Sequence, residues 1–343
     1  VMRCLTLADE LKKHSIECHF ICRDLPGQMG EMIQHRGYSL TLLPKMQQKF
    51  EPTIDDPLHA NWLTVPWDKD VEDTTKAMGD IKANWLIIDN YGIDYRWHEM
   101  LREYTEKIMV IDDLADRQLE CDILLNLNFI PDIEEVYTNL VPKDAKLLLG
   151  EKYMLLRPEF NEARKKLKPR DGKVRRILVF YNSFDRTNET GKALEAYLNL
   201  KHSDIHMDIV IGSASPNKKT IEKQVKRLPN VKLHFNLPHL ADLMTKADLS
   251  IGAGGITMWE RMFLGLPSLV TTIADNQIAC TTNLSKNDYL YYLGHYNQVS
   301  TDDILSGTLF FLRDQNMYLD VSKKILDFTN DFSTSNVVKM MLC

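Results

Sequence analysis

The chain has 343 residues, 44% hydrophobic and 26% charged, a balance ordinary for a globular protein and a length that suits two cores. A net charge of −6 offers no basic field for nucleic acid or anionic lipid, and no run of about eighteen apolar residues reads as a membrane-inserted span. Six unevenly spaced cysteines suit reduced thiols in a cytoplasm, and the ten histidines, His202 and His206 included, complete no metal-ligand pattern.

The chain opens on an amphipathic helix, with Cys4, Leu7, Ala8 and Leu11 on one face. An α/β protein rarely begins on a helix, so the first strand is expected to be missing. "IECHFIC" (Ile16 to Cys22) reads as a strand and "RDLPGQMG" as the loop after it. "WLIIDN", "IMVIDD" and "CDILLN" (from Trp85, Ile108 and Cys121) are short continuous apolar runs, suited to parallel strands buried on both faces. Helical patterns fill 71–81 and 95–104. The charged stretch from Arg157 to Arg176 reads as the best linker. The alternation then restarts with "ILVFY", "HMDIVIG", "VKLHF", "DLSIGA", "PSLVTTI" and "DYLYYLG". The expected layout is therefore a domain over 1–160, a linker over 161–176 and a second domain over 177–343. Two doubly wound α/β domains facing a cleft are implied, with the ligand at the carboxyl ends of the strands.

The second array contains the stretch richest in chemistry, "DLSIGAGGITMWERMFLGLP" (Asp248 to Pro267). It reads as strand, glycine turn, then a helix closed by Gly265. Glycines let a ligand reach the backbone, and the first amides of the helix favour an anion. A tight turn without a ligand fits the same letters. Glu260 is equally two-sided. Thr257 to Glu260 matches a T-x-x-E capping box, and a carboxylate there could instead accept two hydroxyls of a ribose.

Several blocks carry a resemblance: "FICRDLPG", "VPWDKDVEDT", "LIIDNYGIDYRW", "KIMVIDDLADRQLECDILLN", "LLGEKYMLLRPEF", "TNETGKALEA" and "ADLSIGAGGITMWERMFLGLPSLVTTIADNQ". From Val1 to about Asn283 the chain resembles the UDP-2,4-diacetamido-2,4,6-trideoxy-β-L-altropyranose hydrolases of pseudaminic acid biosynthesis. These are relatives of GT-B glycosyltransferases such as the lipid II synthase. The resemblance implies a GT-B-like pair of Rossmann-type domains in a cytoplasmic enzyme that uses no metal or other cofactor. Its substrate would be a UDP-amino-sugar, hydrolysed to UDP and free sugar by a single inverting displacement, in a cell that decorates flagellin or surface glycans with a nonulosonic acid. A glycosyltransferase and a non-catalytic UDP-sugar binder are the alternatives. Oligomeric state is not set by the sequence, and a monomer is compatible with it.

By the same resemblance Glu260 meets the uridine ribose and Gly254 and Gly255 the pyrophosphate, with Ile256, Thr257 and Gln277 also at the substrate. Arg157 contacts substrate, or else pairs with Glu159 or another acid. Tyr91 and Asn276 face the sugar and the reaction centre. They also fit a capped turn and a helix start, and Asp112 and Asp113 read as turn and cap residues. Two departures stand out. The family turn G-G-S-D-P-T-N is Asn182 to Asn188 here, with Ser183 and Phe184 where the backbone should meet phosphate, and Asn90 stands where a histidine is common. The family motif G-x-G-H-V-M-R-C-L-T-L-A also places its general-base histidine just before Val1. The chain as it stands is therefore expected to be unstable or inactive beside a longer parent.

Overall fold

A computed structural model describes residues 1–46, 50–202 and 204–343. They form two compact units, Val1–Leu155 with Ser333–Cys343, and Leu156–Phe332. The last eleven residues thus group with the first unit. Helix Thr334–Leu342 packs on helix Met2–Lys13, and the Ser335 hydroxyl donates to Glu10 at 2.9 Å. Local patterning carries no signal for that return.

In the first unit, β1 (His19–Arg23) pairs in parallel with β2 (Ser39–Leu43). A separate parallel sheet runs β3 (Ala83–Ile88), β4 (Thr105–Ile111), β5 (Ile123–Asn126) and β6 (Lys146–Leu149) in order. Among the described residues no ladder joins the two sheets. The apolar runs seen in the sequence became β3, β4 and β5, and all four residues of β5 are buried. Ile88, Ile108, Val110 and Leu124 join Trp97 and Tyr137 in the larger core.

The same unit holds His98, fully buried within helix Tyr95–Leu101. Its Nδ1 accepts from the Glu120 amide at 3.1 Å, and its Nε2 has no partner. Burial, with Arg117 and Arg102 nearby, pushes its pKa down to about 3. A histidine depressed on folding adds stability that is complete above its unfolded pKa of about 6.5 and drains away as the pH falls. From this residue the loss is about 1.4 kcal/mol per pH unit. His98→Gln, which keeps an acceptor for the Glu120 amide, is expected to flatten the acid limb of the urea midpoint between about pH 6.5 and about pH 4.5. An unchanged slope would mean that other groups govern acid unfolding.

The second unit holds one six-stranded parallel sheet. Its strands are β7 (Arg176–Phe180), β8 (His206–Ile211), β9 (Val231–Phe235), β10 (Leu249–Ala253), β11 (Ser268–Thr272) and β12 (Tyr291–His295). Their order across the sheet is β12-β11-β10-β7-β8-β9. Read from β9, this is the doubly wound order 3-2-1-4-5-6, whose direction reverses between β7 and β10. Every residue of β10 and β11 is buried.

The stretch that read as a linker begins with helix Pro158–Lys165, opened by a proline at a position that needs no N–H. Its charge is used to fasten it. Arg170 donates to the carbonyls of Met244, Ala247, Leu264 and Gly265, and Arg164 to those of Phe263 and Leu326 and to the Thr329 hydroxyl. These acceptors lie at helix C-termini, where orphan carbonyls favour a cation.

Candidate functional site

Ligands of doubly wound sheets gather at the carboxyl ends of the strands where the winding reverses. Here two turns meet that place, the one after β7 and the glycine turn after β10. In the glycine turn, Gly254 donates to the Thr271 carbonyl, and Gly255 takes a positive φ of 87° as N-cap of helix Ile256–Phe263. No side chain caps that helix, and the amides of Gly255, Ile256 and Thr257 have no acceptor among the described residues. A Cβ on Gly254 would lie 3.1 Å from both Gln277 Oε1 and Thr281 Oγ1, so the glycine admits them closely. Gln277 itself accepts from the Ile273 amide at 3.0 Å. The structure thus gathers Gly254, Gly255, Ile256, Thr257 and Gln277 at one turn. Asn276 is exposed in the short helical turn Asp275–Gln277.

Glu260 does not close a capping box. The helix starts at Ile256, so Thr257 lies inside it instead of before it. The carboxylate, 1% exposed, turns to Arg157, whose Nε and Nη2 each lie 2.9 Å from Oε1. Arg157 therefore pairs with an acid, and the acid is the other candidate of the same unit. Its Nη1 also donates to the Pro238 carbonyl at 3.1 Å. Glu260 Oε2 is buried with no partner. Burial pushes the Glu260 pKa up to about 7, against the pull of Arg157. An unmatched acceptor beside three unmatched amides can hold hydroxyls and an anion together.

The turn after β7 is different. Asn182 Oδ1 accepts from the amides of Phe184 and Asp185 at 2.8 and 2.5 Å, and the Asp185 carboxylate caps the amides of Glu189 and Thr190 at 3.0 and 2.9 Å. Four of the amides in and after this turn are thus consumed internally, and a carboxylate occupies the anion's place at the helix start. Asp185 and Asn188 adopt positive φ, so the chain makes the bend without the two glycines.

In the first unit, polar side chains converge after β3 and β4. Arg3, at the start of helix Met2–Lys13, binds Asp89 at 2.5 Å, Asp113, and the Tyr91 hydroxyl at 3.0 Å. Tyr91 in turn donates to Asp113. Burial and Asp113 raise the Tyr91 pKa far above the usual phenol range, so the hydroxyl keeps its proton. Burial opposes ionisation of Asp89, but Arg3 and the Val1 amino group together overcome it and hold the carboxyl below its ordinary value. The Tyr91 ring lies 6.0 Å from Trp62 and 6.4 Å from His59, and Trp62 is 56% exposed. Asp112 is a turn residue, as its place at a strand end suggested; it accepts from the Leu114 and Ala115 amides and from Arg117. Asn90 accepts from the Gly92 amide. Arg3, Asp89 and Trp62 were not singled out from the sequence, and Asp113 was read only as a turn or cap residue. The only available signal was that two of them directly end apolar strands.

Among the described residues no group of three or more His, Cys, Asp or Glu could hold a metal ion, and no helix is long and apolar enough to cross a membrane.

Comparison with known proteins fixes the class first. The chain has the GT-B fold, with two Rossmann-like domains: MurG of Acinetobacter baumannii matches with a TM-score of 0.66 at 11% identity, covering 99% of this chain and 95% of that one. No family model matches. Among curated proteins, an uncharacterised protein of Methanocaldococcus jannaschii is 29% identical over 240 residues, covering 68% of this chain and 49% of that one. The chain thus spans about half the length of that relative. The UDP-2,4-diacetamido-2,4,6-trideoxy-β-L-altropyranose hydrolase of Campylobacter jejuni is 27% identical over 209 residues, covering 61% of this chain and 73% of that one. The hydrolase that the sequence blocks resemble is therefore among the chain's relatives.

Proposed function

We propose that the chain is a nucleotide-sugar hydrolase that splits a UDP-linked 2,4-diacetamido-2,4,6-trideoxy-L-altrose into UDP and the free sugar, a step of pseudaminic acid biosynthesis. One observation carries the reading: Glu260 presents a buried, unpartnered oxygen beside a glycine turn whose amides are also unpartnered. The relation to the Campylobacter jejuni hydrolase supports it.

In this reading Glu260 accepts the ribose hydroxyls, oriented by Arg157. The Gly255, Ile256 and Thr257 amides take the diphosphate, with Gly254 and Gln277 shaping its approach. Water attacks the anomeric carbon as the bond to the diphosphate oxygen breaks. The bond electrons leave on UDP, and the attacking water passes a proton to solvent. One displacement inverts the configuration, and the amides stabilise the charge that builds on the leaving group. Asn276 and Tyr91 are assigned to the sugar. Tyr91 is a fixed positioning group and neither donor to the sugar nor base, because its one proton is committed to Asp113.

Incubation with the UDP-sugar alone tests the reading: UDP and free sugar are expected without any acceptor. The GT-B likeness to MurG favours one second reading, a transferase, which would release UDP only when an acceptor is added. Tyr91→Phe is expected to lower kcat by about 10–100-fold while leaving uridine affinity unchanged. Unaltered turnover would remove Tyr91 from the reaction.

A further inference from the structure

The floor of the glycine turn holds a cation for which folding alone gives no reason. Arg261 is 0% exposed. One of its nitrogens, Nη2, donates to the Ala253 carbonyl at 2.6 Å, while Nε and Nη1 have no partner. No carboxylate among the described residues forms an ion pair with it, since the neighbouring Glu260 is engaged by Arg157. Tyr181, buried at the end of β7, is the other ionisable group that acts on it, and its hydroxyl is also unpartnered. Gly252 makes room for the guanidinium, because a Cβ there would come within 2.5 Å of Nη1.

An unpaired buried charge is among the costliest things a fold can keep. Burial lowers the Arg261 pKa only to about 10, so it stays charged at neutral pH. Its position is also specific. The Ala253 carbonyl is held from one side by Arg261, and the next amide, Gly254, is held from the other by Thr271. The strand end is thereby fixed just before the amides that lack an acceptor.

We infer that Arg261 is a positioning residue for a bound diphosphate: it sets the peptide that opens the glycine turn and supplies a buried positive charge beneath the anion. The inference rests on the reading that this turn binds a nucleoside diphosphate. Because the charge is unpaired when the site is empty, its removal should have opposite effects on stability and on binding.

The test is calorimetric titration of UDP and of uridine, with thermal melts of the ligand-free protein. Arg261→Met is expected to melt at or above the wild-type temperature and, at about pH 8.5, where Glu260 is ionised, to lose UDP affinity about 10–100-fold and to bind uridine as wild type does. Arg261→Lys should restore part of the preference for UDP. Equal losses for UDP and uridine, or an unchanged ratio, would overturn the inference. If Arg261→Met does not fold, Arg261→Gln decides, because its amide can still donate to the Ala253 carbonyl without a charge. A wild-type UDP preference in that variant would also refute the electrostatic role. Wild-type protein that binds no UDP would instead remove the underlying functional reading.

Discussion

Glu260→Ala is expected to lower the affinity for uridine by about 100- to 10,000-fold. Two hydrogen bonds to an ionised acceptor contribute about 1.5–3 kcal/mol each, and their joint loss corresponds to that factor. Uridine is the proper probe because it carries no phosphate whose own titration would blur the result. The pH dependence has a definite sign. The carboxyl titrates near 7 in the folded protein, above its ordinary 4.5. Its contribution to stability is therefore complete below about pH 4.5 and is lost as the pH rises through about 7. The ionised form that accepts hydroxyls is populated over the same rise. Uridine affinity should climb from about pH 5.5 to about pH 8 in the wild type and stay flat in Glu260→Gln. Identical affinity in both proteins would leave Glu260 as no more than the partner of Arg157.

Gly252→Ala is expected to destabilise the second unit by about 3 kcal/mol, a large share of the roughly 5–15 kcal/mol typical of a domain. Gly252 lies opposite Phe180 in the ladder between β10 and β7. An added methyl would fall well inside contact distance of the Phe180 carbonyl oxygen. Both strands are central and paired on both sides, so neither can step aside. Gly254→Ala makes the contrast. The nearest atoms to its methyl would belong to the side chains of Gln277 and Thr281, at 3.1 Å, and these can give way. The first variant should move the urea midpoint and the second should not. A wild-type midpoint for Gly252→Ala would show that the sheet relaxes more than its register suggests.

The central strands were legible because a parallel sheet covered on both faces leaves unbroken apolar runs, as in β3, β4 and β5. The glycine turn was legible for a related reason, since a backbone that must be approached sheds its side chains. The linker from Arg157 to Arg176 was not, because Arg164 and Arg170 look like solvated charge and in fact bind helix carbonyls. The capping box at Thr257 matched its motif, but the helix begins before the motif can act. Arg261 gave no signal at all: a charged letter beside Glu260 on an amphipathic helix reads as surface. Asp113 read as a cap, and its ion pair with Arg3 is a contact across more than a hundred residues of chain.

The bend after β7 has a kinetic consequence for a hydrolase. If the glycine turn holds UDP as proposed, then with Asn182 and Asp185 occupying four amides of this bend the spent nucleotide is anchored chiefly at one turn instead of two. An enzyme that grips its leaving group by a single handle has little product trapping to overcome, and its throughput is set by bond breaking more than by escape.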